Sequence, residues 1–315
     1  MASVPVLGYD AVMEAVSATE AIDRVHDAFM RYQRGEWQMP PKVYLLSPPY
    51  GDFRAMPAAN ETYALIKWVT SFPGNSAHGL PVVSGVICVS DARNGLPRML
   101  LDARSVTALR TGASAAVATR ALARPDARTV GIVGCGVHGT WAARCVHALG
   151  YGPGVCSDTN PEAATALASS LGWSVGSVEE ALGCDVVCTV TPGREPVITA
   201  DRLRPGQHLN LLGADGPGKA EATVDAVLMC DLFCDDWEQA SHGGELANAV
   251  AAGRIDRSRV TDLGAVLIGS APGRSGPSAI TLFDSTGLAI QDLALAGAAI
   301  DRFEAGEIEA QVVTL

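Results

Sequence analysis

The chain has 315 residues, of which 48% are hydrophobic and only 5% aromatic, and its formal net charge is −11. This length is enough for two domains of ordinary size, and the composition suits cores packed from Ala, Val and Leu. The negative charge argues against nucleic acid or an anionic membrane as a partner. The sequence has no 18-residue apolar run that could span a membrane and no basic-then-apolar start typical of a signal peptide, so we expect a cytoplasmic protein.

The first 120 residues have the pattern of a strand-rich α+β domain. A helix is predicted after Ser17, which together with Glu20 fits a capping box ahead of apolar residues at helical spacing. Strands separated by proline and glycine are then predicted at 42–47, 54–57, 62–70, 82–90 and 97–101. Asn94-Gly95 predicts a hairpin turn between the last two strands, and 105–123 is predicted as one long helix. Consecutive strands joined in this way indicate an antiparallel sheet.

From residue 128 onward, short apolar strands alternate with helices. Strands are predicted at 129–133, 154–158, 185–190, 208–212 and 231–234, with helices at 140–149 and 161–171. This alternation is typical of the doubly wound parallel sheet of a Rossmann domain. The sequence therefore predicts an α/β protein.

We predict the domain bounds from this change of pattern. The strand-rich domain covers 1–120 and is completed by about 288–315, which includes a final helix at 288–305. The Rossmann domain covers 121–287. The segment 279–285 precedes that boundary but is also expected to return to the first domain.

The segment from Thr129 to Gly139 carries the strongest functional signal in the chain. An apolar run, predicted as a buried strand, meets Gly134, Gly136 and Gly139, and an Ala-rich helix follows. In a dinucleotide site one glycine allows the tight turn, one lets the backbone approach the pyrophosphate, and one lets the helix pack on the strand. The diphosphate then binds at the helix N-terminus, where N–H groups favour negative charge. We therefore predict a nicotinamide or flavin cofactor and redox chemistry on a small molecule.

An acidic residue supports this prediction and favours NAD(H) over NADP(H). Asp158 stands 19 residues beyond Gly139, at the end of the next predicted strand, where a carboxylate can accept hydrogen bonds from the ribose hydroxyls. A carboxylate there repels a 2′-phosphate, and the next residues, Thr159 and Asn160, carry no positive charge. A glycine turn in an α/β domain that binds no nucleotide is the alternative.

Lys67 is a candidate for catalysis in the first domain. Strand alternation places it on the same face as Tyr63, Leu65 and Val69. A cation among apolar neighbours suits a polarising or proton-transferring role, because desolvation lowers the pKa of an amine toward neutrality. The alternative is a lysine that protects an edge strand from pairing with other chains.

Asp215 is the corresponding candidate in the second domain. It follows the predicted strand 208–212, so it should lie at the carboxyl end of a parallel strand, where open α/β sheets bind ligands. A carboxylate in a glycine- and proline-rich loop beside a nicotinamide can act as a general acid or base. The alternative is an aspartate that only forms the turn of an Asp-Gly dipeptide.

Eight cysteines and six histidines are scattered along the chain. Cys230 and Cys234 are four residues apart, but no nearby cluster completes a tetrahedral metal site. We therefore expect buried reduced thiols and no bound metal.

Five segments occur in an order that resembles the ornithine cyclodeaminase/mu-crystallin family over essentially the whole chain. They are Tyr-Ala-Leu-Ile-Lys67, Thr-Ala-Leu-Arg-Thr-Gly-Ala-Ser114, Gly-Cys-Gly-Val-His-Gly139, Gly-Ala-Asp-Gly-Pro-Gly-Lys-Ala-Glu221 and Thr-Leu-Phe-Asp-Ser-Thr-Gly287. The resemblance implies that the strand-rich domain binds substrate and forms a homodimer, and that the Rossmann domain binds NAD. It also implies that Lys67 and Asp215 flank the substrate carbon at the nicotinamide.

The resemblance assigns further residues to the cofactor and substrate. It implies that Arg110 and Thr111 lie beside the cofactor and the substrate carboxylate. The other residues expected to contact the cofactor, besides the three glycines and Asp158, are Val137, His138, Lys219 and Ser285.

Within the family, the chain resembles the archaeal-type alanine dehydrogenases. It has Arg54 where ornithine cyclodeaminases carry a glutamate nearby, and it has Gly-Ala-Asp-Gly where they have Gly-Gly-Asp-Cys around Asp215. A guanidinium can hold a carboxylate with two hydrogen bonds and repels the side-chain ammonium of ornithine. Arg54, helped by Arg110 and Lys42, is therefore expected to hold the substrate carboxylate.

These observations predict an NAD(H)-dependent amino-acid dehydrogenase or imine reductase. It would interconvert a 2-oxo acid plus ammonia or an amine, or a cyclic imine, with an L-amino acid. One alternative is a cyclodeaminase that acts on ornithine or lysine and recycles its NAD. Another is a mu-crystallin-like NAD(P)H-binding protein whose catalysis is incidental.

Overall fold

The structure, a computed structural model, describes residues 3–193, 195–216 and 218–314. The chain divides into two compact units. Unit 1 comprises Met1–Arg110 and Leu288–Leu315, and unit 2 comprises Thr111–Gly287.

Unit 1 contains a sheet of seven strands. In chain order they are β1 (Ser3–Leu7), β2 (Val43–Ser47), β3 (Gly51–Ala59), β4 (Tyr63–Ser71), β5 (Val83–Asp91), β6 (Pro97–Asp102) and β15 (Gln311–Thr314), and in the sheet they lie in the order β15-β1-β6-β5-β4-β3-β2. Pairs from β2 to β6 are antiparallel, as predicted, but β1 runs parallel to β6. The predicted strands thus pair antiparallel, and the sheet is mixed because β1, which was not predicted, joins it in parallel with β6. The pairing of β1 with β6 and with β15 joins distant parts of the chain, which the sequence pattern of each strand does not reveal.

Four helices contribute to unit 1. They are α1 (Tyr9–Ala15), α2 (Ala18–Gln33), the part of α3 (Ala103–Leu122) up to Arg110, and α11 (Ala289–Glu304). The Oγ of Ser17 accepts a hydrogen bond from Glu20 N, as the capping pattern predicts. Helix α11 packs against α2, β3 and β4, so one face of the sheet is covered.

Side chains of β4 alternate between the two faces of this sheet. Leu65, Lys67 and Val69 are buried on the face that we call the inner face. Ile66 and Trp68 point to the opposite, outer face and are 41% and 38% exposed. The sheet thus has one covered face and one face with exposed apolar side chains.

Unit 2 contains an all-parallel sheet of eight strands. They are β7 (Val130–Val133), β8 (Gly154–Ser157), β9 (Ser174–Val175), β10 (Val186–Thr189), β11 (His208–Leu211), β12 (Asp231–Cys234), β13 (Val260–Asp262) and β14 (Thr281–Asp284), in the order β13-β12-β14-β11-β10-β7-β8-β9. The predicted doubly wound α/β fold is confirmed. The expected return of 279–285 to the first domain is wrong, because β14 pairs between β11 and β12 and all four of its residues are buried.

Helices of unit 2 connect these strands and are mostly short. Besides the rest of α3 they are α4 (Val137–Ala148), α5 (Pro161–Leu171), α6 (Val178–Leu182), α7 (Val224–Leu228), α8 (Trp237–Gly243), α9 (Ala247–Ala251) and α10 (Leu263–Leu267). All eight cysteines are free thiols, and all except Cys88 are buried. In the described part of the chain, every helix is too short or too polar to cross a membrane.

Candidate active site

Two glycines of the loop between β7 and α4 lie so close to neighbouring backbone atoms that a side chain would not fit. Gly134 has φ +96°, a conformation that other residues rarely adopt, and a Cβ on it would lie 2.5 Å from Val190 O. A Cβ on Gly139 would lie 1.8 Å from Gly134 O. These two glycines are therefore required by the turn itself and by the packing of α4 on β7.

Gly136 is different, because no neighbouring atom within the structure requires a glycine there. A Cβ on Gly136 would meet nothing within 4 Å. The residue is the N-cap of α4, which is 12 residues long, and Val137 in the first turn is 55% exposed. Open space in front of helix N–H groups is what a bound diphosphate requires. The loop therefore fits a dinucleotide.

Asp158 is tied directly to this loop. It follows β8, and its Oδ2 accepts a hydrogen bond from Cys135 N at 2.5 Å, while its Oδ1 accepts one from Asn160 N at 2.7 Å. The carboxylate is thus fixed at the carboxyl edge of the sheet, next to the turn that a dinucleotide would approach. This position suits the role predicted for it at the adenosine ribose.

Asp215 lies in the loop after β11, at the carboxyl edge of the same sheet. Its Oδ1 accepts a hydrogen bond from Lys219 Nζ at 2.5 Å, and the two side chains are 35% and 32% exposed. The structure therefore brings together Asp215, predicted to act in catalysis, and Lys219, predicted to contact the cofactor.

Two other predicted residues lie near α3. Ser285 follows β14, and its Oγ lies 3.4 Å from Ser114 Oγ of α3. Thr111 is buried on α3.

Glu221 holds the loops after β10 and β11 together, a role that the sequence analysis missed. This fully buried carboxylate accepts hydrogen bonds from Thr191 N at 2.6 Å, Thr191 Oγ1 at 2.8 Å and Gly213 N at 2.7 Å. It belongs to the Asp215 segment that carried the family resemblance, but only the paired strand ends reveal its partners. Burial raises the pKa of the Glu221 carboxyl, and the hydrogen bonds from Thr191 and Gly213 oppose that shift.

A second buried carboxylate, Glu245, lies behind Glu221. Its Oε1 accepts hydrogen bonds from Glu221 N at 3.0 Å and from Ala222 N at 2.7 Å. Burial raises the pKa of Glu245 to about 8; the backbone hydrogen bond from Glu221 opposes this, and repulsion by the Glu221 carboxylate adds to it. In the folded protein Glu245 is therefore a proton-binding group near neutral pH.

Replacing Glu245 with glutamine is expected to flatten the pH dependence of stability. The unfolded carboxyl ionises near pH 4.5 and the folded one near 8. Below about pH 4.5 the Glu245 carboxyl is protonated in both states and does not change the free energy of unfolding. Between about pH 4.5 and 8 it lowers the free energy of unfolding by up to about 1.4 kcal/mol per pH unit. From pH 6 to 8 the wild type should lose about 2 kcal/mol through this group. Glutamine keeps an acceptor for both backbone N–H groups and carries no charge, so the variant should not show this loss.

Urea unfolding at pH 6, 7 and 8 measures the effect of Glu245→Gln. Glu238→Gln, which removes an exposed carboxylate from α8, is the matched control and should keep the wild-type slope. Equal slopes for the wild type and Glu245→Gln would contradict the assignment of the raised pKa to this residue.

Lys67 is buried on the inner face of unit 1, where it forms an ion pair. It is 1% exposed, and its Nζ donates a hydrogen bond to Asp292 Oδ1 of α11 at 2.7 Å. Burial lowers the pKa of Lys67 to about 8; Asp292 raises it, and Arg110 and Arg54 lower it further. Since β4 lies between β3 and β5, the interpretation as an edge-strand lysine is wrong.

Three predicted substrate-binding cations lie around the inner face. The Nε of Arg110 is 3.9 Å from Asp292 Oδ1. Arg54 is 8% exposed, and its Nε and Nη2 donate to Asp52 at 2.6 and 3.3 Å. Lys42 directly precedes β2 and is half-buried.

The other pairings of Arg54 define its position further. Its guanidinium lies 5.4 Å from the ring centroid of Tyr44, and Met56, two residues along β3, is paired with Lys67 across the strands. Lys67, Arg54 and Arg110 were predicted from the sequence, whereas Asp52 and Asp292 were not. The signal for Asp292 was present as a single acidic residue within the apolar segment 288–300.

Comparison with known proteins identifies the family. The family model described as the ornithine cyclodeaminase/mu-crystallin family matches residues 5–307. The chain belongs to this family. The family resemblance predicted from the five sequence segments is therefore confirmed.

Individual relatives agree with this assignment. Alanine dehydrogenase of Archaeoglobus fulgidus is 41% identical over 298 residues, which cover 92% of each protein. The structure of an archaeal alanine dehydrogenase dimer with bound NAD aligns with a TM-score of 0.95 and 38% identity over 100% of both chains. That of the Δ1-pyrroline-2-carboxylate reductase of Thermococcus litoralis, in complex with NADH and L-proline, aligns with a TM-score of 0.93 and 28% identity over 99% of this chain and 100% of that one.

The class of enzyme follows from these matches. Relatives include NAD-dependent alanine dehydrogenases and imine reductases, and ornithine cyclodeaminases are also among them. The sequence prediction of an NAD-dependent oxidoreductase of the alanine dehydrogenase and imine reductase type is confirmed at the level of the family. NAD is bound in structures of relatives, and one relative is a dimer.

Proposed function

We propose that this protein is an NAD(H)-dependent amino-acid dehydrogenase or imine reductase. It interconverts a 2-oxo acid plus ammonia or an amine, or a cyclic imine, with an L-amino acid. The observation that carries this proposal is the inner face of unit 1, which holds three cations near two carboxylates. Lys67 and Arg110 lie beside Asp292, and Arg54 is paired with Asp52. Such a concentration of cations in an acidic protein suits an anionic substrate with a polarised C=O or C=N group.

Each proposed residue has a defined part in the reductive direction. Arg54, with Arg110 and Lys42, holds the substrate carboxylate. Lys67 donates a hydrogen bond to the carbonyl oxygen, which makes the carbon more electrophilic toward the amine. Attack by the amine gives a carbinolamine as Asp215 passes one amine proton to the carbonyl oxygen. Loss of water then gives the imine as Asp215 passes a second amine proton to the departing hydroxyl. NADH, when bound, would supply the hydride for the imine carbon, and solvent would supply the proton for the nitrogen.

The size of the substrate side chain is proposed to depend on which apolar residues of β3 and β4 lie on the inner face. Met56 is buried on the inner face, opposite Lys67, so it is expected to limit the size of the substrate side chain. Trp68 lies on the outer face and is not expected to contact the substrate.

The test is NADH consumption over a panel of pyruvate, glyoxylate, larger 2-oxo acids and cyclic imines, with and without ammonia or methylamine. Turnover with at least one member supports the proposal. Ammonia release from ornithine or lysine without net NADH turnover would instead show a cyclodeaminase. Tight NADH binding with no turnover on any substrate would contradict the proposal and indicate a binding protein.

Within the proposed function, NAD(H) rather than NADP(H) is the cofactor, and Asp158 selects it. Asp158→Asn keeps an oxygen that can accept from Cys135 N but removes the charge that repels a 2′-phosphate. The ratio of the NADPH and NADH dissociation constants is expected to fall by about tenfold or more, which corresponds to about 1.4 kcal/mol. Fluorescence titration with both cofactors measures this ratio.

Asp225→Asn is the matched control for the cofactor prediction, because it removes an exposed carboxylate from α7 in the same unit. It should leave the ratio unchanged. An unchanged ratio in Asp158→Asn would show that another residue selects the cofactor.

We also propose a homodimer formed through the outer face of the unit 1 sheet. On this face β2, β4 and β5 expose Val43, Leu45, Ile66, Trp68 and Val86, each between 38% and 56%. The pairing of β2 to β5 places these side chains on one surface, and contiguous apolar surfaces of this kind mark protein interfaces. Sedimentation velocity should give twice the chain mass of 32.6 kDa. A monomer at micromolar concentration would contradict this proposal.

A further inference from the structure

The ion pair between Lys67 and Asp292 joins two residues that are 225 positions apart in the chain. Asp292 is 0% exposed, and its second oxygen, Oδ2, has no hydrogen-bond partner among the described residues. Its neighbours on α11, among them Ile290 and Leu293, are buried apolar side chains. A single carboxylate has therefore been placed in an otherwise apolar helix face, directly against the proposed catalytic amine.

Packing alone does not account for this pair. Transferring two charges from water into a protein interior costs several kcal/mol per ion, and well-packed apolar residues of similar volume often stabilise a fold as well or better. Both side chains of the pair are essentially inaccessible to solvent. A role in setting the protonation state of Lys67 accounts for a pair of charges at this buried position.

The charges around Lys67 show which state Asp292 favours. Burial, Arg110 of α3 and Arg54 of β3 all favour the neutral amine, and Asp292 of α11 favours the ammonium ion. The carboxylate of Asp52 on β3 is already bound to Arg54.

At the other end of α11, Glu20 and Arg24 of α2 pair with Arg302 and Asp301. Asp292 itself lies in the first turn of α11, where the helix dipole stabilises a negative charge. Asp292 is thus the carboxylate placed to stabilise the Lys67 ammonium.

Resting on the proposed function, we propose that Asp292 is the positioning residue of the reaction. It keeps Lys67 in the ammonium form and orients it by accepting one of its three N–H groups. The other N–H groups are then available to polarise the carbonyl or imine of the substrate. Arg110 also lies near this carboxylate, with its Nε 3.9 Å from the same oxygen of Asp292, and its positive charge opposes the effect of Asp292 on Lys67.

The composition of the chain allows a direct test that needs no substrate. The chain has three lysines, Lys42, Lys67 and Lys219, so protein labelled with ¹³Cε-lysine should give three side-chain NMR signals. The Lys67 signal is the one that Lys67→Met removes. Its titration midpoint should lie near pH 8 in the wild type and should fall by one pH unit or more in Asp292→Asn, with Lys42 and Lys219 as internal references. An unchanged midpoint would overturn the inference.

Kinetics then connects this titration to the reaction. In the reductive direction the wild-type kcat should decline above about pH 8, as the ammonium loses its proton. In Asp292→Asn the decline should move to lower pH by the same amount as the NMR midpoint, and kcat at pH 8 should fall by about tenfold or more, with a smaller change in KM. A moved NMR midpoint with an unchanged pH profile would overturn the proposed role of Lys67 and not the influence of Asp292 on it.

A second variant tests the geometry if Asp292→Asn does not fold. Asp292→Glu keeps the charge and moves it by one methylene group. The Lys67 midpoint should then stay near pH 8 while kcat falls, because the ammonium is charged but misdirected. A wild-type kcat in Asp292→Glu would overturn the positioning role.

Discussion

Replacing Lys67 with methionine is expected to lower kcat for reduction by about 10²–10⁴-fold and to leave the affinity for NADH nearly unchanged. Methionine keeps most of the side-chain volume on the inner face but cannot donate a hydrogen bond to the substrate. The dinucleotide is proposed to bind the glycine loop of unit 2, which carries none of the contacts of Lys67. Steady-state kinetics and fluorescence titration with NADH separate the two effects.

Two controls distinguish catalysis from folding in this experiment. Lys67→Met removes the hydrogen-bond partner of the buried Asp292 carboxylate and leaves it only the more distant Arg110 Nε at 3.9 Å, which should destabilise the protein by about 3–5 kcal/mol. The double variant Lys67→Met/Asp292→Leu removes both charges, so it should regain stability but not activity. Arg98→Met removes the cation of an exposed ion pair with Glu304 in the same unit and should keep wild-type kcat. Activity in the double variant would show that Lys67 is not catalytic.

Replacing Gly136 with alanine is expected to weaken NADH binding on the order of 10²-fold without unfolding the protein. A Cβ at this position meets nothing within 4 Å, and the loss of a glycine N-cap should cost no more than about 1 kcal/mol. The proposed diphosphate is what the added methyl group would meet. Fluorescence titration measures the affinity, and urea unfolding measures the stability.

Gly139→Ala is the matched variant in the same loop. Its Cβ would lie 1.8 Å from Gly134 O, so the contact must be relieved by backbone movement, at a cost of about 3 kcal/mol or more. This variant should lose stability as well as affinity. If Gly136→Ala bound NADH like the wild type, the loop would not be the diphosphate site.

Local patterns predicted much of the fold and indicated several residues of the candidate site. The glycine loop, Asp158 and the strand before Asp215 are short continuous segments, so their spacing alone indicates the nucleotide-type sheet. Alternation along β4 indicated a buried Lys67. In each case the signal is carried by one short segment or by the spacing between neighbouring elements of the chain.

Features that depend on distant pairing were missed or wrong. The position of β14 between β11 and β12 follows from how the whole sheet assembles and not from its own four residues. Glu221 and Glu245 gain their partners from loops at neighbouring strand ends. Asp292 was visible as an acid in an apolar helix, but only the folded unit shows that its partner is Lys67.

The discontinuity of unit 1 has a consequence for how the protein is made. Unit 2 is one uninterrupted stretch, Thr111–Gly287, whereas unit 1 needs Leu288–Leu315. Because domains fold as they leave the ribosome, unit 2 can fold before unit 1 is complete. Lys67 is synthesised early and meets its counter-ion only when α11 has emerged. A nascent chain that stops at Gly287 therefore carries Lys67 without the carboxylate that pairs with it in the folded unit.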